Sequence, residues 1–305
     1  MMPQVWDADV DVSIEHCSEL IKTQFPEIGA RDIRLIGEGY DNAAYLVNEH
    51  WLFRFPRRKI AEKLIMNECR ALRVLAPHLP LRVPVPVYIG VPSDGYPYPF
   101  AGYQFLGGTS ANQLAWTDED RAKNADTLGR FFAALHSVPV SEETRTWAAE
   151  DDIKRSNLLH RLGMIAERLK ISPGIFADFD ARRILEVAAE LSATPGWDKP
   201  TVWVHGDAHL AHLLVNNDHF VTAVIDWGDV HLGDPALDIS IAFAFLPPTA
   251  REEFRQSYGG VDDATWNRAR FRALFYGILL TYYGCETANE PFRMAGEYAL
   301  RAASQ

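Results

Sequence analysis

The 305-residue chain has little cysteine: three residues, Cys17, Cys69 and Cys285. Thiols this few and this far apart cannot all pair, so no disulfide framework holds the protein, and a reducing compartment is the simpler expectation. A long apolar run is also missing. The longest, Ala273 to Tyr283, is too short to span a bilayer. The acidic start MMPQVWDADVDV has neither the basic flank nor the apolar core of a secretion signal. A cytoplasmic chain, neither secreted nor inserted in a membrane, is expected. Basic charge is scarce as well: 30 Lys and Arg stand against 41 Asp and Glu, a formal charge of −11. No basic stripe exists to neutralise phosphates, which excludes nucleic acid as a main partner. Field steering of a cationic ligand fits this charge, but so does plain solubility, so the charge serves only to exclude.

What is there is ordinary in bulk, 48% hydrophobic and 23% charged, as in a folded enzyme of one large or two modest domains. No repeats or low-complexity segments interrupt it. Ile14, Cys17, Leu20 and Ile21 recur at helical spacing between Asp11 and Phe25, with Asp11 or Ser13 as N-cap. A strand at Ile33–Ile36 leads through the glycine turn Gly37-Glu38-Gly39 to a hairpin, Ala43–Val47 and Trp51–Phe55, around Asn48-Glu49-His50. Ala61–Leu75 reads as an amphipathic helix, and prolines forbid regular structure from Pro77 to Pro86. Strands near Val87–Val91 and Phe100–Phe105 follow. Leu106-Gly107-Gly108 looks like a linker, after which Thr117 with Asp120 opens a long helix carrying Leu128, Phe131, Phe132 and Leu135. Helices dominate the rest, Asp234-Pro235 opening one of them.

The most informative stretch is VWVHGDAHLAHLLVNNDHFVTAVIDW, Val202 to Trp227. Val202–Val204, Leu213–Val215 and Phe220–Ile225 are strand-like runs, and Asn216-Asn217-Asp218 is turn chemistry. Asp207, His212 and Asp226 therefore sit on a loop between strands and at a hairpin end, where rigid backbone aims them at one point. Phosphoryl transfer needs such a set: one carboxylate to orient the attacking hydroxyl and two ligands to hold Mg²⁺ against a nucleotide triphosphate. His205, Asp207, His209 and His212 also have the short spacing of a metal-hydrolase site, which stays open on these residues alone. No paired-His or Asp-x-His cluster elsewhere supplies the further ligands a di-metal hydrolase requires. His209 and His231 are given no role.

In HGDAHLAHLLV, IDWGDVHLGDPALD, GEGYDNAAYLV and WLFRFPRR the chain resembles the aminoglycoside phosphotransferases and their macrolide-kinase relatives, over about Ile33 to Asp238. The usual pattern has Asn where this chain has His212, although the aminoglycoside 2''-phosphotransferases and macrolide phosphotransferases look like they carry His there. The resemblance implies an α+β, bilobal protein-kinase-like fold. An antiparallel five-stranded nucleotide-binding lobe would span residues 1–106, and a mostly helical lobe with the catalytic loop, metal site and acceptor site residues 107–305. It implies Asp207 as the catalytic residue and His212 and Asp226 as Mg²⁺ ligands, with GTP or ATP as phosphate donor. Gly37, Gly39, Asp41 and Asn42 would cover the phosphates, although such glycine turns join hairpins everywhere and Asp41 and Asn42 also suit plain turn formers. Arg54, mid-strand between Phe53 and Phe55, would hold the α/β-phosphates and pair with Glu68; the plainer alternative is a surface arginine. Gln104 and Leu106 would meet the purine through their main chain, and Tyr103 would obstruct the adenine pose, favouring GTP. Asp234 and Asp238 look structural, anchoring the helix beside the metal loop, and His205 would shape the catalytic loop by hydrogen bonding.

The expected enzyme is a monomeric small-molecule kinase of a hydroxylated, antibiotic-like acceptor. Ala211 stands where the 2''-phosphotransferases carry an acidic residue, and IAFAFLPP follows Asp238 where they look acid-rich. Phe275, Tyr276, Tyr282 and Tyr283 suggest an apolar wall. A macrolide is therefore the expected acceptor, with an aminoglycoside or another hydroxylated natural product as runner-up. A metal-dependent hydrolase and a catalytically dead kinase-like binding module are the competing classes.

Overall fold

The computed structural model describes residues 8–39 and 41–305. Residues 1–7, on which part of the secretion-signal reading rests, and Tyr40 of the glycine turn lie outside the described residues. The chain divides into two compact units. One runs to Pro77 and includes Arg82–Gly107 and Trp227–Asp229; the other comprises His78–Leu81, Gly108–Asp226 and Val230–Gln305.

The first unit is built on a five-stranded antiparallel sheet of β1 (Ile33–Glu38), β2 (Asn42–Val47), β3 (Trp51–Pro56), β4 (Pro86–Gly90) and β5 (Phe100–Gln104), in the order β1-β2-β3-β5-β4. Helix α1 (Ile14–Gln24) starts at Ser13, whose hydroxyl accepts from the N–H of His16, and helix α2 is Lys59–Leu75. Period-two alternation sorts the strand residues between the faces. Ala43, Tyr45, Val47, Phe53, Phe55 and Phe100 join Cys17, Leu20 and Ile21 of α1 in one core. Phe53 and Phe55 are fully buried, each stabilising by about 1.5–3 kcal/mol. Arg54, paired in register with Ala44 and Ala101, faces the other way, where α2 packs on β3 and β5. Asn48 and Glu49 turn the β2–β3 hairpin with φ of 51° and 56°, and the His50 N–H returns to the Val47 carbonyl at 3.0 Å, a type I′ turn.

The second unit holds β6 (Thr109–Ser110), β7 (Val202–Val204), β8 (Leu213–Val215), β9 (Val221–Val224) and β10 (His231–Gly233), in a three-stranded sheet β6-β8-β9 and a pair β10-β7. Its helices are α3 (Asp118–Ala122), α4 (Ala125–Ser137), α5 (Glu142–Arg145), α6 (Leu158–Ile171), α7 (Ala181–Ser192), α8 (Ala236–Ile239), α9 (Ile241–Ala244), α10 (Arg251–Tyr258), α11 (Asp263–Glu286) and α12 (Glu290–Ser304). The single long helix expected from Thr117 is two. Thr117 caps α3, but the buried Asn124 then donates to the carbonyls of Asp120 and His219 and accepts from the N–H of Val221, tying the break to the start of β9. The helix opened by Asp234-Pro235 is only the four-residue α8. Helices α11 and α12 approach so closely that a Cβ on Gly296 would lie 2.3 Å from the Thr281 backbone nitrogen, so only glycine fits there. All three cysteines are free, and no helix among the described residues is long and apolar enough to cross a membrane.

Candidate active site

The segment between β7 and β8 has no sheet ladder for its backbone, so its N–H groups need other acceptors. Gly206 turns the chain with φ of +81°. The carboxylate of Asp238, fully buried on α8, accepts the N–H of His205 at 2.7 Å and that of Gly206 at 2.9 Å, and meets Nε2 of His136 at 3.1 Å. Burial works to raise the Asp238 pKa, but the His136 contact, the His205 ring and the Gly206 N–H together hold it below the ordinary carboxylate value. Asp234 accepts the N–H of Ala236 at 2.9 Å and pairs with buried Arg268 at 2.7 Å. Asp234 thus meets the first N–H of α8 without occupying the cap position, which is Pro235, whereas Asp238 does more than anchor a helix: it holds the loop that carries Asp207.

Three histidines on this loop have tautomers set by their neighbours, because a backbone N–H only donates and a carbonyl only accepts. Nε2 of His205 donates to the Ile225 carbonyl at 3.0 Å, and its Nδ1 accepts the Asp207 N–H at 3.3 Å, so His205 shapes the loop as the sequence suggested. Nδ1 of His212 donates to the Asp207 carbonyl at 2.9 Å. Its Nε2 lone pair is left facing Oδ2 of Asp226 at 3.4 Å. Nδ1 of His209 accepts the Ala211 N–H at 3.2 Å, which puts its proton on Nε2, 3.5 Å from Oδ2 of Asp207. His209, given no role from the sequence, belongs to the cluster; its place shows only once the loop is folded. Burial drives the Asp207 pKa up, yet His209, His212 and Arg272 outweigh it and hold the carboxyl well below the usual range. Burial also lowers the pKa values of His205 and His209. Asp226 is half-exposed and held at φ of +61°, a strained conformation of the kind found where a side chain must be aimed.

The sheet unit carries the other predicted residues. Arg54 is not a surface arginine: Nη1 reaches Oε2 of Glu68 at 2.8 Å and Oε1 at 3.1 Å, and Glu68 is 1% exposed. Tyr103 is fully buried, and its hydroxyl donates to Oε1 of Glu68 at 2.8 Å; burial and this carboxylate push its pKa well up. Cys69 lies 3.8 Å from that hydroxyl, and burial raises its thiol to about 12. Gln104 is exposed at the end of β5, and the N–H of Phe105, just before half-buried Leu106, goes to the His50 carbonyl. Gly37 and Gly39 are exposed, with the Gly39 N–H on the Asn42 carbonyl at 3.0 Å. Asp41 is bound by the guanidinium of Arg58, as a turn former would be. Asn42 has a buried Oδ1 without a partner among the described residues.

Residues 32–274 match the model of the phosphotransferase enzyme family. The chain belongs to that family. Among solved structures, the GDP and kanamycin complex of APH(2")-IIia is similar to this phosphotransferase with a TM-score of 0.68 and 24% identity, over 94% of this chain and 98% of the other. Macrolide 2'-phosphotransferase type I follows at 0.62 and 20%, over 95% and 98%. Macrolide 2'-phosphotransferase MphH from Brachybacterium faecium gives 0.59 and 25%, over 93% and 97%. The kinase-like fold expected from the sequence is the fold of this phosphotransferase, with its five-stranded antiparallel sheet.

Asp207, His209 and His212 are close enough, with ligand atoms within 4.8 Å of one another, to count as a metal-binding trio. The tautomers argue otherwise, since the facing Nε2 of His209 carries a proton. Nε2 of His212, with no hydrogen-bond partner of its own among the described residues, and the Asp226 carboxylate 3.4 Å from it are a pair that could hold a divalent ion in this phosphotransferase. The expected aromatic wall is not open. Phe275 and Tyr276 are buried in the packing of α11, with the Arg272 guanidinium 4.1 Å from the Tyr276 ring; Tyr282 and Tyr283 are half-buried. An apolar, aromatic run was legible in the sequence, but not that other helices cover it.

Proposed function

We propose that this phosphotransferase moves the γ-phosphate of a purine nucleoside triphosphate to a hydroxyl of a macrolide-type antibiotic. The observation that carries the reading is the convergence of Asp207, His212 and Asp226 on one loop and hairpin end, two carboxylates and one free imidazole nitrogen. Asp207, held ionised, accepts the hydrogen bond of the acceptor hydroxyl, orients its oxygen for in-line attack and takes the proton late. The γ-phosphorus gains the bond to that oxygen as its bond to the departing diphosphate breaks. His212 and Asp226 would hold Mg²⁺, which supplies charge neutralisation at the phosphates when bound. Arg54, fixed by Glu68, supports the α/β-phosphates, and the turn from Gly37 to Asn42 covers them. Catalysis is positioning and electrostatics, without a covalent enzyme intermediate.

A macrolide acceptor is favoured over an aminoglycoside by the surroundings of Asp207. His209 is flanked by buried Tyr276 and half-buried Phe292, each with its ring centroid 5.9 Å away, and the Arg272 guanidinium reaches the Gly206 carbonyl at 3.5 Å. A polyammonium acceptor calls for carboxylates instead. The donor is GTP or ATP, with Gln104 and Leu106 meeting the purine through their main chain; Tyr103, fully buried with its hydroxyl on Glu68, gives no ground for preferring GTP. The enzyme's free cysteines fit a reducing cytoplasm, and it acts as a monomer. Phosphate transfer from labelled GTP or ATP, with and without Mg²⁺, to erythromycin, kanamycin and gentamicin tests the reading. Transfer to the two aminoglycosides but not to erythromycin refutes the macrolide assignment, and no transfer from either nucleotide refutes the kinase reading.

A further inference from the structure

We propose that His209 is a positioning residue for the acceptor-activating carboxylate: its Nε2–H holds Oδ2 of Asp207 and leaves Oδ1 to the acceptor hydroxyl. The inference rests on the phosphotransferase reading above. A carboxylate on an irregular loop has two free torsions, and a base that swings is a poor base. The backbone fixes the start of this one, through the Asp207 N–H on Nδ1 of His205 and the Asp207 carbonyl on Nδ1 of His212. Neither contact reaches the carboxylate. The side-chain donor that faces it with a proton assigned by its partners is Nε2 of His209, at 3.5 Å from Oδ2. Nδ1 of His212 lies 3.7 Å from the same oxygen but is already committed to the carbonyl. The Ala211 N–H decides the tautomer of His209. Without that donor, two positions along the chain, the ring would be free to present a lone pair to the carboxylate and repel it.

The ring itself is held. His209 is 6% exposed, its centroid lies 4.0 Å from that of His212 at 37°, and Tyr276 and Phe292 flank it. Two neighbouring histidines thus carry opposite tautomers for opposite tasks. His212 keeps a lone pair on Nε2 for the cation; His209 keeps a proton there for the carboxylate. The 3.5 Å separation is long for a hydrogen bond, as such contacts often are before substrate closes on them.

The test compares His209→Gln, whose side-chain amide donates from nearly the place of Nε2, with His209→Leu, which fills the space and donates nothing. His209→Leu is expected to lower kcat by about 10–100-fold with KM for acceptor and nucleotide little changed, and His209→Gln to recover kcat to within about 3-fold of wild type. Equal losses in both variants, or a rise in the Mg²⁺ concentration needed for half-maximal activity in place of the kcat loss, overturn the proposal, because the first marks a packing role and the second a metal ligand. A readout independent of turnover is the imidazole ¹⁵N spectrum of the full-length protein. A protonated Nε2 and bare Nδ1 at His209 support the proposal, and the opposite tautomer overturns it. Failure of the wild type to phosphorylate any acceptor would instead count against the phosphotransferase reading, and the spectrum tells the two failures apart.

Discussion

In the sheet unit the buried carboxylate of Glu68 is answered by side chains on regular elements, Arg54 from β3 and Tyr103 from β5. In the helical unit the buried carboxylate of Asp238 is answered mainly by main chain, the N–H groups of His205 and Gly206, with His136 reaching in from α4. The strands of the first already satisfy their own backbones, so their charged side chains are free to pair with each other. The loop of the second has no ladder, and a buried anion replaces it. Side-chain pairs between strands and a helix, such as those to Glu68, are therefore adjustable parts of a scaffold that stands without them. A carboxylate that organises a loop is part of the scaffold itself.

The sharpest way to break that contrast starts at the residues the loop presents. Asp207→Asn and Asp226→Ala should each lower phosphate transfer by about 10²–10⁴-fold while far-UV circular dichroism and the unfolding midpoint stay near wild type. Both side chains are partly exposed and sit at the ends of the network, not at its centre. Wild-type turnover of Asp226→Ala at saturating Mg²⁺ would remove its assigned role.

Asp238→Ala goes to the centre. It strands two buried N–H groups and the ring of His136, and should cost about 3–5 kcal/mol in urea unfolding, with activity lost in parallel. A cost below about 1 kcal/mol would show that the loop stands without the anion, and the contrast between the units would collapse.

Glu68→Gln is the matching change in the sheet unit. Glutamine keeps the volume and can still accept from Tyr103, so stability should fall by no more than about 1 kcal/mol. Loss of the charge weakens the hold of residue 68 on Arg54, and KM for the nucleotide should rise about 10-fold with a smaller change in kcat. A fall in kcat at constant KM would mean that Arg54 acts only in the transition state.

The same contrast explains what the sequence disclosed. Strand alternation placed Phe53 and Phe55 inward and Arg54 on the opposite face, and the family resemblance supplied Glu68 as its partner, so that pair was legible. So was the convergence of Asp207, His212 and Asp226, because spacing along one hairpin does the work. The link from His136 to Asp238 spans 102 residues, and nothing local announces it. The break at Asn124 was missed for the same reason, since its partners His219 and Val221 lie nearly a hundred residues on. His209 was passed over because its task depends on a proton whose place the folded loop decides. The aromatic run of α11 misled because hydropathy shows that a face is apolar, not which helix covers it.

The smallest effect concerns the β2–β3 turn, where main chain and side chain both contribute in the sheet unit. Asn48 adopts φ of 51°, its Oδ1 accepts the N–H groups of Arg31 and Asp32 at 3.0 and 3.2 Å, and its Nδ2 donates to the Ile28 carbonyl at 3.0 Å. Asn48→Gly removes those hydrogen bonds but keeps the left-handed backbone accessible, while Asn48→Ala removes the bonds and strains the turn as well. Glycine should cost about 0.5–1 kcal/mol and alanine about 1 kcal/mol more, read as shifts in the urea midpoint at constant m-value. The bonds to Arg31 and Asp32 are exposed and that to Ile28 only part-buried, so water takes over the stranded partners at less cost than around Asp238. Equal losses for Gly and Ala would assign the whole effect to the side-chain bonds. A loss as large as that of Asp238→Ala would show that the sheet unit, too, depends on a single polar side chain to hold its loops.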